Sequence, residues 1–205
     1  MNRMIDMDFS GVYKRRERLS ETVIGLSDLS GTNGYLSDEA RDAIREKLKA
    51  FPAEGIHFLD SGNYHYATLF WLEKINQPYQ LVVFDHHTDM QPPAWGEGLI
   101  SCGSWILTAL KTDANLQAVW LAGAKEEAYQ AEMKKQICLR TEEDLSDPER
   151  AFYELDDKIP VYISVDKDVL SEKEVDTNWD QGELRSDVLL HCLWHLCEKH
   201  AVIGI

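Results

Sequence analysis

The chain has 205 residues, 44% apolar and 28% charged, the make-up of an ordinary globular protein able to bury one sizeable core. With 36 acidic against 21 basic residues the formal net charge is −15, a field that repels phosphate backbones and anionic lipid surfaces and draws cations. No apolar run approaches the roughly 18 residues of a membrane span, and the N-terminus MNRMIDMDFSGVYKRRERLS has no apolar signal-peptide stretch, so neither nucleic acid nor membrane is expected as a partner.

Short apolar runs alternate with longer amphipathic segments along the chain, the pattern of βαβ units around a parallel sheet. No repeat or linker divides it, and residues 1–205 read as a single α/β domain. The sequence predicts a helix over Ser37–Phe51, with Ala40, Ile44, Leu48 and Phe51 on one face, and a brief strand at Ile56–Leu59. Helix Tyr66–Ile75, strand Gln80–Phe84, helix Trp105–Leu110 and strand Leu116–Leu121 follow, then a polar helix over Ala124–Lys135. Residues 141–158 are acidic and read as a solvated face with a turn at Asp147-Pro148. Strand Pro160–Val165 and helix Ser186–Lys199 come next, the helix with a core stripe of Leu189, Cys192, Leu193 and Leu196. The last residues, Ala201–Ile205, start one more strand, an abrupt ending that allows the sequence to be a fragment truncated at its C-terminus. Four cysteines (Cys102, Cys138, Cys192, Cys197) are too few and scattered for a disulfide framework, which points to a reducing cytoplasm.

Three of these strands run straight into polar clusters of one chemical character. Ile56–Leu59 leads into Asp60-Ser61-Gly62-Asn63-Tyr64-His65, Leu81–Phe84 into Asp85-His86-His87-Thr88-Asp89, and Tyr162–Val165 into Asp166-Lys167-Asp168. The carboxyl ends of parallel strands line a common crevice, so these clusters are expected to be neighbours. In extended backbone, positions i, i+2 and i+4 share a face, which groups Asp85, His87 and Asp89, pairs Asp166 with Asp168, and turns His86 and Thr88 away. With His65 the set holds four carboxylates and two imidazoles. A lone aspartate is usually a solvated loop residue, but four packed together carry −4, which two divalent cations cancel. Carboxylates with a minority of imidazole suit Mn²⁺ and related hard ions. Two such ions roughly 3.5–4 Å apart would hold a bridging water and present it as hydroxide to an electrophilic carbon or phosphorus, which is hydrolysis.

SGNYHY, FDHHTD and SVDKD resemble, in this order, the GGDHS, DAHxD and SxDxD motifs of the arginase/agmatinase (ureohydrolase) superfamily. The resemblance implies a doubly wound, mostly parallel sheet in a three-layer α/β arrangement, and a binuclear manganese centre. Its six ligands would be His65, Asp85, His87, Asp89, Asp166 and Asp168, and a metal-bridged hydroxide would cleave a guanidino, amidino or formimino C–N bond. Asp89 would also hydrogen-bond that nucleophile. The implied partner is a small, cationic substrate, and the oligomeric state stays open, family members often being trimers or hexamers. Two departures stand out. Tyr64 replaces the aspartate before the first histidine, and Cys102, within Ser101-Cys102-Gly103-Ser104, takes the place of a proton-shuttling histidine, with Ser104 beside it as a candidate pocket residue. A thiol, with a reference pKa near 8.5, suits that shuttle less well. The acid that pairs with guanidinium in arginases would fall beyond Ile205. A metal-binding protein without turnover is therefore an alternative reading, as is a deacetylase-like metal amidohydrolase, though SGNYHY offers one histidine where deacetylases pair two.

Other features read more simply. His191 and His195, four apart, belong to the patterned helix rather than to a zinc site. Asp180–Leu184 reads as a turn before that helix, the basic patch Lys14–Arg18 as solvated surface or a subunit contact, and Trp95, in the Pro-stiffened loop 90–98, as a candidate pocket wall.

Overall fold

The computed structural model describes residues 3–14, 22–92, 98–125 and 137–205. In chain order these form β1 (Met4–Asp8), β2 (Thr22–Gly25), β3 (Tyr35–Leu36), α1 (Asp38–Leu48), β4 (Ile56–Phe58), α2 (Thr68–Leu72), β5 (Tyr79–Phe84) and β6 (Ile100–Ser101). There follow α3 (Trp105–Thr112), β7 (Leu116–Ala122), β8 (Ile137–Arg140), α4 (Pro148–Ala151), β9 (Val161–Val165), α5 (Ser186–Lys199) and β10 (Val202–Gly204). The chain divides into two compact units. One comprises Met1–Asn76, Asp89–Thr112 and Gly204–Ile205, the other Gln77–Thr88 and Asp113–Ile203.

The first unit holds a parallel sheet in the order β2-β1-β4 and a small antiparallel pair, β3 with β6. Helix α1 forms as its sequence dictates. The Ser37 hydroxyl accepts from the Ala40 N–H, Asp38 and Glu39 sit in the first turn, Arg45 and Lys47 in the last, and Ala40, Ile44 and Leu48 are buried. It stops at Leu48, short of the expected Phe51, because Phe51 precedes Pro52 and is steered away from helical backbone. The helix expected at Tyr66–Ile75 is instead a 3-10 turn, Gly62–Ala67, running into the short α2. Every residue from Tyr64 to Leu72 is buried, so packing on all sides rather than one apolar stripe sets its geometry.

The second unit is a mostly parallel sheet with flanking helices, in the order β10-β9-β5-β7-β8. All six residues of β5 are buried, as a central strand covered on both faces requires. The sheet order runs from β5 outward through β7 to β8, whereas β9 pairs with the other side of β5 and β10 lies beyond it. The direction of winding therefore reverses between β5 and β9, and the crevice at the carboxyl ends of that pair is where doubly wound sheets bind ligands. Helix α5 spans the residues expected and buries Leu189, Cys192 and Leu196, while Leu193 is only half-buried. The acidic stretch 141–158 holds a 3-10 turn, Asp144–Ser146, and then α4, whose first turn is capped by Asp147 accepting from the Arg150 N–H. The polar segment 124–135 and the basic patch fall outside the described residues beyond Lys125 and Lys14 respectively. All four cysteines are free thiols, and no described helix is long and apolar enough to cross a membrane.

Candidate metal centre

In the second unit, β5 and β9 deliver their polar ends side by side. The Asp166 N–H donates to the Phe84 carbonyl at 2.8 Å and the Asp85 N–H to the Ala122 carbonyl at 3.2 Å, so the strand ends are tied to one another and to β7. Beyond them Asp85, His87 and Asp168 each offer a ligand atom, all within 4.8 Å of one another, and Asp85 and Asp168 are buried. The His87 Nδ1 lies 3.0 Å from Asp168 Oδ2 and 3.6 Å from Asp85 Oδ1. Backbone donors hold the carboxylates in place: the His86 N–H reaches Asp168 Oδ1 at 3.1 Å and the His87 N–H reaches Asp85 Oδ1 at 2.6 Å. Hydrogen bonds to Asp168, and then to Asp85, push the His87 imidazole up to about 10 against the opposing effect of burial. Two carboxylates and one imidazole are the donors of a hard or borderline divalent ion, so these three residues could hold a metal.

Two glycines permit this packing. At Gly123 the backbone is left-handed (φ +95°) and a Cβ would meet Val169 Cγ2 at 2.4 Å. At Gly182 a Cβ would come within 2.5 Å of the Val169 carbonyl oxygen, and the Gly182 N–H donates to the Asp168 carbonyl at 2.8 Å.

In the first unit, His65 sits on the 3-10 turn and Asp89 follows the second-unit segment in a left-handed conformation at φ 47°. The His65 Nδ1 is 3.0 Å from Asp89 Oδ2, and both side chains are buried. The Trp105 indole N–H donates to the same Oδ2 at 2.6 Å, its ring tilted against the His65 ring at 4.9 Å. The half-buried Cys102 opens the 3-10 turn Cys102–Ser104. Burial first, and then the Asp89 charge, push its thiol up, with His65 acting in the opposite sense.

The expected ligands thus fall into a trio, Asp85, His87 and Asp168, and a pair, His65 and Asp89. Asp166 joins neither: its Oδ1 accepts from the Asp168 N–H at 3.1 Å and caps the turn that presents Asp168. The expectation that Asp85, His87 and Asp89 continue one extended face is corrected. Strand β5 ends at Phe84, and the left-handed Asp89 breaks the alternation. The expected pairing of Asp166 and Asp168 on one face fails likewise, since Asp168 lies in a 3-10 turn. Ser104 has a folding role, its Oγ accepting from the Ser101 N–H and lying 3.0 Å from Ser101 Oγ in a capping box. Trp95 lies outside the described residues. Sequence reasoning missed Trp105, and it missed Trp179, which is 42% exposed and stands edge-on to His87 at 6.0 Å. Neither carries a motif; only the folded chain brings them to the site.

The sequence matches the arginase family over residues 23–176, a span that includes every residue of the trio and the pair. The chain belongs to the arginase family. It is 31% identical to an uncharacterized protein of Thermotoga maritima over 191 residues, 93% of this chain and 72% of that relative. Formimidoylglutamase from Bacillus subtilis has the same fold, with a TM-score of 0.69 at 15% identity over 100% of this chain and 77% of that one. Agmatine ureohydrolase of Thermoplasma volcanium gives 0.62 at 13% identity, over 100% and 80%. Within this arginase-family fold, the departure at Tyr64 has a packing explanation: its ring stacks on Phe9 at 4.3 Å, almost parallel.

Proposed function

We propose that this arginase-family protein is a hydrolase dependent on two divalent ions, manganese by the chemistry of its donors, that cleaves a C–N bond in a small cationic substrate of the guanidino, amidino or formimino kind. The observation that carries the reading is the Asp85–His87–Asp168 group at the switch point of a doubly wound sheet. In this reading His65 and Asp89 would hold the second ion, and Asp166 would support Asp168 through that residue's N–H. The four carboxylates and two divalent ions balance in charge. When bound, the ions supply charge compensation, polarisation of the substrate and activation of water.

The chain's own residues do the rest. The Trp105 indole fixes the rotation of Asp89, so that carboxylate meets an attacking water in one orientation. Cys102, with its thiol pushed up, keeps its proton at neutral pH and serves as a hydrogen-bond donor rather than a base. Trp179 offers a planar cation a face to stack on. The net charge of −15 favours a cationic small molecule over nucleic acid or anionic membrane, and the free thiols suit a cytoplasmic setting.

The test compares the wild-type chain with an Asp85→Asn/Asp168→Asn variant by elemental analysis, and by release of urea, ammonia or formamide from arginine, agmatine and N-formimino-glutamate. The wild type should hold about two more manganese ions per chain than the variant and turn over one of the panel. Equal metal content sinks the reading. Full occupancy without turnover favours instead a metal-binding protein that has lost catalysis, the reading to which Cys102 in place of a base lends weight.

A further inference from the structure

Strand β1 carries two carboxylates in a place where a sheet normally carries none. Asp6 and Asp8 are two residues apart on an extended strand, so both side chains leave the same face. The strand is the middle one of β2-β1-β4, and the two residues are 1% and 0% exposed. Among the described residues, none of their four carboxylate oxygens has a hydrogen-bond partner. Buried polar atoms are nearly always paired, and two uncompensated like charges side by side oppose folding.

A neighbouring carboxylate shows what this part of the fold does when an aspartate has a partner. Asp60 accepts from the Phe9 N–H at 3.0 Å, the Ser10 N–H at 2.7 Å and the Ser10 hydroxyl at 2.9 Å, while its own N–H donates to the Tyr13 Oη. Tyr13 is the polar side chain that senses the pair. Burial first, and then the charges of Asp60, Asp6 and Asp8, push its phenol up to about 12, so it stays a neutral hydroxyl and brings no counter-charge.

We propose that Asp6 and Asp8 form a cation site, none of whose residues belongs to the candidate metal centre, that takes one divalent ion of the hard, oxygen-preferring class. Two carboxylates cancel the charge of one such ion, and carboxylate oxygen is the donor of Mg²⁺, Ca²⁺ or Mn²⁺ rather than of softer metals. The ion supplies the partner that four buried oxygens lack, and it locks the central strand of the first unit.

The probe is Mn²⁺. Chains equilibrated with it and freed of excess are compared by metal content and by electron paramagnetic resonance. The variants are Asp6→Asn/Asp8→Asn, which keeps shape and removes charge, and Asp85→Asn/Asp89→Asn/Asp168→Asn, which disables the candidate centre. The first should hold one ion fewer than wild type. The second should keep the six-line signal of an isolated Mn²⁺, and EDTA should still lower its melting temperature. A folded Asp6→Asn/Asp8→Asn chain with the wild-type ion count overturns the proposal, as does a folded triple variant without the signal. Should the double variant not fold, the single Asp8→Asn chain must bind this ion at least tenfold more weakly, and unchanged binding overturns the site equally. One ion in the wild type, lost with Asp6 and Asp8 but not with Asp85, Asp89 and Asp168, would remove the binuclear reading and leave this site standing.

Discussion

His65 and His87 each bring Nδ1 to 3.0 Å from a carboxylate Oδ2, yet the surroundings of the two pairs differ in kind. The carboxylate facing His65 is also claimed by an indole N–H, a neutral donor that does not titrate, and the His65 ring leans on the same indole. His87 is 34% exposed, has a carboxylate on two sides and draws its orientation from charge. One region is set by packing and the other by electrostatics. The first should therefore resist changes of pH and metal that the second follows. The contrast explains how a D-x-H-x-D segment can serve both: the left-handed turn at Asp89 carries the chain from one environment into the other.

The sharpest way to break the comparison is at Asp168, which meets His87 through one oxygen and the His86 N–H through the other. On the proposed function, Asp168→Asn should lower metal affinity by roughly a hundredfold or more, because it would remove both a ligand and the group that holds His87. Calorimetric titration with Mn²⁺ checks this, and a loss below tenfold would mean that the trio is not the principal metal position. Trp105→Phe tests the packed region. It keeps the ring against His65 and deletes the hydrogen bond to Asp89, which should cost about 10–100-fold in metal affinity or turnover. Stability should fall by about 1.5–3 kcal/mol, read from urea unfolding. If the phenylalanine variant matches wild type in both, the indole is filling space only.

Acid and alkali should act on the two units with opposite sign. In the first unit His57 lies on Trp71, ring centroids 3.7 Å apart, and burial pushes its imidazole down to about 3. Its unfolded value is about 6.5, so the unfolded chain binds the extra proton between these limits. Stability from this group is complete above pH 6.5 and declines as pH falls toward 3, by at most about 1.4 kcal/mol per pH unit. His87 is the reverse case. Its folded value is raised to about 10, so its contribution is complete below pH 6.5 and is lost as pH rises through 10. Metal-free protein unfolded in urea at pH 5, 7 and 9 should show both slopes. His57→Phe should flatten the acid side alone and His87→Gln the alkaline side alone. Metal binding at neutral pH should release a proton from His87, which the glutamine variant cannot do.

Much of this was legible in the sequence because the second unit obeys simple rules. Val82 and Val83 within a wholly buried strand, followed at once by Asp85 and His87, can be read without any coordinates, and so can the capping of α1 by Ser37 and the apolar stripe of α5. What stayed hidden depends on the folded chain. Strand β1 escaped notice because Asp6 and Asp8 interrupt its apolar pattern, although both are buried. The alternation that grouped Asp89 with His87 assumed extended backbone, and one residue at φ 47° undoes it. Trp105 reaches Asp89 across 16 residues, and no spacing rule relates an indole to a carboxylate.

The smallest expected effect falls on Trp179, and it is the one that bears on substrate. The ring stands edge-on to His87 and is held by its loop rather than by burial: Thr177 donates its hydroxyl to the Trp179 carbonyl, and the Gln181 side chain ties the same loop to the carbonyls of Leu170 and Val175. On the proposed function, a face positioned in this way would contribute through stacking with a planar cation, worth about 0.5–1 kcal/mol at an exposed site. Trp179→Ala should therefore raise KM by roughly two- to fivefold for a guanidino or amidino substrate and leave kcat and metal content unchanged. Trp179→Phe should recover most of the loss, since the ring face persists. A fall in kcat with KM unmoved would assign Trp179 to the support of His87 instead, and would extend the electrostatic region to the loop that carries it.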